Sequence, residues 1–105
     1  MNPGINISTN KKLFGKNDEL VIHVWFSQDF PIFTTLLIKS PSGEILDSSY
    51  LKGQKGITET FAFTCSEMMK ENGKYSIIVD CNGEKSEKIF EYYDSRNKFE
   101  PSNYI

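Results

Sequence analysis

Side chains suited to chemistry are few in this sequence: one histidine, His23, and two cysteines, Cys65 and Cys81, among 105 residues. A zinc site takes three or four nitrogen or sulfur ligands, and one histidine with two distant cysteines does not assemble that set. Nucleophilic catalysis needs a Ser, Cys or Thr beside a base and an orienting group, and neither a G-x-S-x-G turn nor a cysteine–histidine signature occurs. Glycine-rich phosphate loops are missing as well. Glu59, Glu67, Glu71, Glu84, Glu87 and Glu91 are scattered with lysines between them, the pattern of a solvated face. Asp80, Asn82 and Glu84 flank one turn and could face a calcium ion, yet EF-hand spacing is missing and turns favour these residues anyway. The expectation is a non-enzymatic chain with no catalytic residues, no metal and no cofactor.

Charge and length narrow the classes further. A formal charge of -2 with 25% charged residues describes an ordinary soluble surface. Lys11, Lys12 and Lys16 form the densest basic run, but Asp18 and Glu19 follow at once, so no positive stripe for phosphates exists and no nucleic-acid partner is expected. No apolar run approaches the ~20 residues that span a bilayer, so no membrane insertion is expected. At 105 residues, with 38% hydrophobic, the chain suits one domain around one core. The opening Met1-Asn2-Pro3-Gly4-Ile5-Asn6 lacks the basic start and apolar h-region of a signal peptide, which leaves two readings: a protein that is not exported, or a piece of a longer chain.

The elements that must position these residues are strands. Helical periodicity is not sustained for three turns, whereas two-residue alternation recurs: Leu20, Ile22, Val24 and Phe26 share one side, and Tyr75, Ile77 and Val79 another. Turn-forming clusters punctuate the chain at Gly15-Lys16-Asn17-Asp18, Ser27-Gln28-Asp29, Pro41-Ser42-Gly43, Asn72-Gly73 and Asn82-Gly83. Strands are predicted at 5–9 with a continuation at 12–14, then at 19–26, 33–40, 44–50, 57–64, 74–81 and 85–93. Asn82-Gly83 is the hairpin pair of a type I′ turn. One helical turn is expected over 66–70, capped by Ser66. Seven or so short antiparallel strands satisfy burial and edges by packing two sheets face to face, an all-β two-sheet sandwich over 1–93. Residues 94–105 turn polar and carry a proline without alternation, and read as a tail or linker that Phe99, Tyr104 and Ile105 could anchor.

That topology separates the cysteines. Cys65 follows the fifth strand and Cys81 ends the sixth, at opposite ends of the sandwich. A strand of that length spans some ~20 Å, against the ~7 Å between Cα atoms that a disulfide tolerates. Two thiols rather than a disulfide are predicted. Reduced cysteines sit awkwardly with an extracellular home, and a cytosolic one is the alternative.

Three motifs occur in order: Phe14-Gly15-Lys16-Asn17-Asp18-Glu19-Leu20-Val21-Ile22, then Ile38-Lys39-Ser40-Pro41-Ser42-Gly43-Glu44-Ile45, then Asn72-Gly73-Lys74-Tyr75-Ser76-Ile77-Ile78-Val79. With them the chain resembles immunoglobulin-like β-sandwich modules, fibronectin-III and macroglobulin types included, of prokaryotic surface proteins, archaeal ones among them. The resemblance covers most of residues 14–93. It implies an immunoglobulin-like sandwich inside a larger surface or envelope protein, a spacer or adhesive unit whose partner is a protein or a glycan. A tyrosine opening the penultimate strand can return its hydroxyl to nearby backbone and pin the corner between the sheets, the role expected of Tyr75. The inter-sheet disulfide of antibody domains is missing, since Ile77 stands two residues after Tyr75.

Two surfaces stand out for binding. With Leu20, Ile22, Val24 and Phe26 inward, Trp25 projects outward beside His23, unless the first strand, the tail or a shifted register covers it. Asp29-Phe30-Pro31-Ile32-Phe33 is an apolar loop at the end of the sandwich, where Phe30, Ile32 and Phe33 either plug the core or offer a contact. Trp25 with Tyr50 or Tyr93 would make a stacking platform for a carbohydrate. Donation of the strand at 5–9 to a neighbour's sheet edge would make the chain self-associate.

Overall fold

The computed structural model describes residues 4–30 and 34–97. Eight strands run through them: β1 (Ile5–Thr9), β2 (Leu13–Phe14), β3 (Glu19–Phe26), β4 (Thr34–Lys39), β5 (Ile45–Leu51), β6 (Thr58–Thr64), β7 (Gly73–Cys81) and β8 (Glu84–Tyr92). They form a three-stranded sheet in the order β1-β3-β6 and a five-stranded sheet in the order β2-β8-β7-β4-β5. This is the two-sheet, immunoglobulin-like sandwich expected, with the continuation at 12–14 standing as a strand of its own. Pairing is antiparallel throughout except for β2 with β8, which is parallel.

The core lies between the inward stripes. Leu20, Ile22, Val24 and Phe26 of β3 face Leu36 and Ile38 of β4 and Tyr75, Ile77 and Val79 of β7, all fully buried. Each such side chain contributes roughly 1.5–3 kcal/mol by leaving water. An aromatic cluster fills one end: the Tyr75 ring stacks on Phe90 at 5.3 Å between centroids, and Phe14 meets Phe90 edge-on at 5.3 Å.

One long side of the sandwich is closed by a strand that changes sheets. After β1, the Asn10 side-chain amide takes the place of backbone, donating to Glu19 O at 2.9 Å and accepting from Val21 N at 2.8 Å. The chain then crosses, and Glu91 N donates to Lys12 O and Tyr93 N to Phe14 O as β2 joins the other sheet. The turn into β3 is tied by the Asp18 carboxylate, which accepts from Gly15 N and Lys11 Nζ, each at 2.7 Å. That lysine bond, first, and the Gly15 bond hold the Asp18 carboxyl below its ordinary range. Among the described residues the opposite long side stays open, because β5 and β6 are each the last strand of their sheets.

Two local expectations change. The helical turn is α1 (Cys65–Met68), one residue earlier than 66–70, and Thr64 rather than Ser66 holds the N-cap position, with no side-chain cap bond. Cys65 is fully buried and its N–H reaches Asp18 O at 3.2 Å, so the turn starts directly off the anchored end of β6. The polar stretch from 94 does not leave the body at once. Asn72 and Asp94 exchange side-chain-to-backbone bonds of 3.1 and 2.8 Å, and Arg96 clasps the Asp94 carboxylate at 3.0 Å before a 3-10 turn at Ser95–Asn97. Phe99, Tyr104 and Ile105 lie outside the described residues.

Asn82 and Gly83 carry φ of 52° and 98°, the two positive values of a type I′ turn, and Asp80 Oδ1 accepts from Gly83 N at 2.8 Å. Gly53 also has positive φ, 64°, and a Cβ there would meet Phe30 O at 2.9 Å and Thr34 Oγ1 at 3.0 Å. Gly53→Ala is therefore expected to cost roughly 1–3 kcal/mol, from backbone strain and from displacing Phe30. Urea unfolding checks it: the midpoint should fall with the slope unchanged.

Candidate functional site

The outer face of the β1-β3-β6 sheet is built from strand register. Rows of side chains cross it: Asn6, Trp25 and Thr58, then Ser8, His23 and Thr60, then Val21 and Ala62, and last Glu19 and Thr64. Inward residues alternate with these because each strand has period two and its inner set is needed by the core. Trp25 is 41% exposed in the middle strand, with small polar neighbours on both sides that leave its ring uncovered. His23 is exposed and its Nδ1 lies 3.0 Å from Thr60 Oγ1. Glu19, at one end, is the single ionisable group among the β-strand residues of this face other than His23. The outer face of the five-stranded sheet is more mixed, carrying Lys74, Lys85, Glu87 and Glu91 beside the exposed Ile89 and Tyr50.

A face that carries a tryptophan at one end of its middle strand and its one acidic strand residue, Glu19, at the other is suited to contact around the tryptophan. Its hydrogen-bonding groups are hydroxyls and amides, which cost little to dehydrate compared with ions, and Trp25 offers large apolar area with a donor at its edge. The His23–Thr60 pair does not extend to a third orienting side chain among the bonds of the described residues, and a flat sheet does not exclude water.

Of the two readings open for the loop at 29–33, Phe30 takes the one that plugs the core, against its place among the expected contact residues. Phe30 is only 4% exposed: its ring packs at 5.7 Å from Phe26 and its N–H donates to Gly53 O at 2.8 Å. It plugs the end of the core and is not a contact residue. Ile32 and Phe33 lie outside the described residues. The carbohydrate platform does not form either. Tyr50 sits on β5, paired with Thr35 on the outside of the five-stranded sheet, and Tyr93 follows β8 in that same sheet, so both are separated from Trp25 by the thickness of the sandwich. The strand Ile5–Thr9 pairs with β3 of its own chain.

Tyr75 Oη donates to Glu71 O at 2.5 Å and accepts from Glu71 N at 3.2 Å. The hydroxyl thus ties the start of β7 to the connection four residues upstream, while its ring stacks in the core. Burial pushes the phenol up to about 12, against the lowering effect of the Glu71 bond. Cys65 and Cys81 form no disulfide and both are buried. Burial pushes the Cys65 thiol up to about 11, and the Asp18 carboxylate adds to it. Sequence pattern did not single out Asn10, Asn72, Ser86 or Glu59, whose roles as backbone partners depend on which strands meet.

No protein-family description and no curated protein matches this sequence. Solved structures do: the sulfur carrier protein SoxY from Chlorobium limicola f thiosulfatophilum is similar with a TM-score of 0.51 at 14% identity, over 89% of this chain and 80% of that one. That likeness defines the class as an all-β sandwich and speaks for the fold alone.

Replacing Tyr75 by Phe should cost roughly 1–3 kcal/mol, because the Glu71 groups lose a buried partner while the ring remains. Chemical denaturation measures it. Cys65 gives a pH dependence. The unfolded thiol ionises near 9.0 and the folded one near 11, so the folded state holds the proton longer. Its contribution to stability is complete below pH 9.0 and is lost as pH rises toward 11. Unfolding curves across that window should fall more steeply for the wild type than for Cys65→Ala.

Proposed function

We propose that this chain is a non-catalytic β-sandwich module of a larger surface or envelope protein that engages a protein partner through the outer face of its three-stranded sheet. The observation that carries this reading is Trp25, exposed on the middle strand of the three-stranded sheet between the small polar side chains of Asn6 and Thr58, at the end of that face away from Glu19. Interfaces deplete charge at their centres and enrich tryptophan there. A protein is favoured over a glycan because, among the described residues, Trp25 has no second aromatic beside it on that face, whereas sugar rings are held by aromatic platforms.

The cysteines agree with a surface home. A reduced thiol is a liability in an oxidising compartment only where a thiolate can be reached. Cys65 is fully buried with its thiol pushed up to about 11, and Cys81 is buried at the end of β7. The same burial argues against carrying the sulfur-carrier role of SoxY over to this chain, since a carrier thiol must reach its cargo.

The test is affinity capture on the immobilised chain from extracellular and envelope fractions, with quantitative mass spectrometry comparing the wild type, Trp25→Ala and Tyr50→Ala. A protein retained by the wild type and by Tyr50→Ala, and lost at least about tenfold on Trp25→Ala, is the expected result. Equal capture by all three, or retention of glycans alone, overturns the proposal.

A further inference from the structure

Edge strands template the addition of another strand unless something blunts them, and three of the four edges here are blunted. β1 faces β8 across the closed side, where Ser86 Oγ donates to Ile5 O at 3.1 Å. β2 has only two residues. β5 slips register at Leu46, with Ile38 opposite Asp47 and Lys39 opposite Ile45, and turns the half-buried Asp47 inward, where Ser49 Oγ bonds it at 3.0 Å. A bulge and an inward charge both oppose pairing.

β6 is neither short nor bulged, and of these devices it shares only one, a half-buried charge on its inward side, Glu59. Its seven residues, Thr-Glu-Thr-Phe-Ala-Phe-Thr, pair without a break along β3 and contain no proline, glycine or lysine. That charge stands on the same side as Phe61 and Phe63, but its carboxylate is already held by the crossover from β5, accepting from Lys52 N at 2.7 Å and Gly53 N at 3.3 Å. Phe61 and Phe63, on its inner side, are only half-buried, as are Leu46 of β5 and Met68 of α1. Threonine and phenylalanine are also strong strand formers.

We infer that β6 is a self-recognising edge: two copies of this chain join antiparallel through it, making one six-stranded sheet in the order β1-β3-β6-β6-β3-β1. The occupant follows from the strand itself. A two-fold pairing centred on Phe61 uses all seven residues and sets Thr58 opposite the partner's Thr64, Glu59 opposite the partner's Phe63 and Thr60 opposite the partner's Ala62. No like charges meet, the outer pairs are small enough to lie flat, and beneath the new sheet the two Phe61 rings meet at the axis while each Phe63 lies opposite the partner's Glu59, whose carboxylate is already occupied by Lys52 and Gly53 N–H groups. The two-fold axis stands perpendicular to the sheet, so both Trp25 faces point the same way. The joined pair presents that surface twice, independently of what binds it. Seven residues of edge fall short of the ~1,200 Å² of a standard stable interface, so the association is reversible and depends on concentration.

Sedimentation velocity from about 10 µM to about 1 mM tests it on the full chain, because a weak pair dissociates within that range. The wild type should shift from monomer toward dimer. Thr60→Lys with Ala62→Lys puts lysine opposite lysine twice and should weaken association by at least about tenfold, whereas Thr60→Lys with Ala62→Glu puts opposite charges together and should restore it. Both variants change exposed residues, and circular dichroism with a melting curve verifies that each is folded. A wild type that stays monomeric throughout, or a double-lysine variant that associates as the wild type does, overturns the inference. Dimerisation that survives Trp25→Ala separates it from the partner-binding role of that face.

Discussion

Each sheet has one face that must leave water, and each can do so only against the other. Leu20, Ile22, Val24 and Phe26 on β3 have no other apolar surface to meet than the inward side chains of β4, β7 and β8. Every other feature follows from that packing. It dictates register, because a slip of one residue would turn the inner stripe of β3 to solvent and bury His23, Trp25 and Glu19. It also leaves the remaining positions of β3 and β6 facing outward, which is why Trp25 is exposed although it is the largest side chain in the chain.

The sandwich treats its two long sides differently. On one, the chain itself switches sheets between β1 and β2, and Asn10 supplies hydrogen bonds where the backbone leaves the ladder. On the other, the crossover from β5 to β6 runs over the end and adds no strand between the sheets. The half-buried Phe61 and Phe63 are a consequence of that missing strand. Surfaces for interaction therefore arise from topology in two places, a face whose inner side is used up by the core and an edge that no described strand covers.

Buried polar groups are matched to this frame. The Tyr75 hydroxyl meets both backbone groups of Glu71, Asn72 and Asp94 pair reciprocally, and Asp18 gathers Lys11 and Gly15 at the turn into β3. These bonds lie at the end of the sandwich where β7 begins and β8 ends, and they hold the connections rather than the strands. Of these only the Tyr75 hydroxyl sits on a ring wholly inside the core, and leaving its backbone partners unmatched would cost about 1–3 kcal/mol, a large share of the stability of a small domain.

Strand positions were legible in the sequence because alternation and turn residues are local signals: the run at 19–26 and the Asn82-Gly83 hairpin stand where the pattern puts them. So was the separation of Cys65 from Cys81, which needs only strand length and order. The role of Phe30 was not, since an apolar loop residue reads alike whether it plugs a core or meets a partner, and only the approach of Gly53 and Phe26 decided between them. Nor was the relation of Trp25 to Tyr50 and Tyr93, because alternation assigns a residue to a side of its own strand without saying which sheet that strand joins. Local chemistry determined the strands, the turns and the inward stripes. Tertiary structure decided which strands are neighbours, which edges are covered and on which sheet each exposed aromatic stands, because those depend on contacts between residues far apart in the chain.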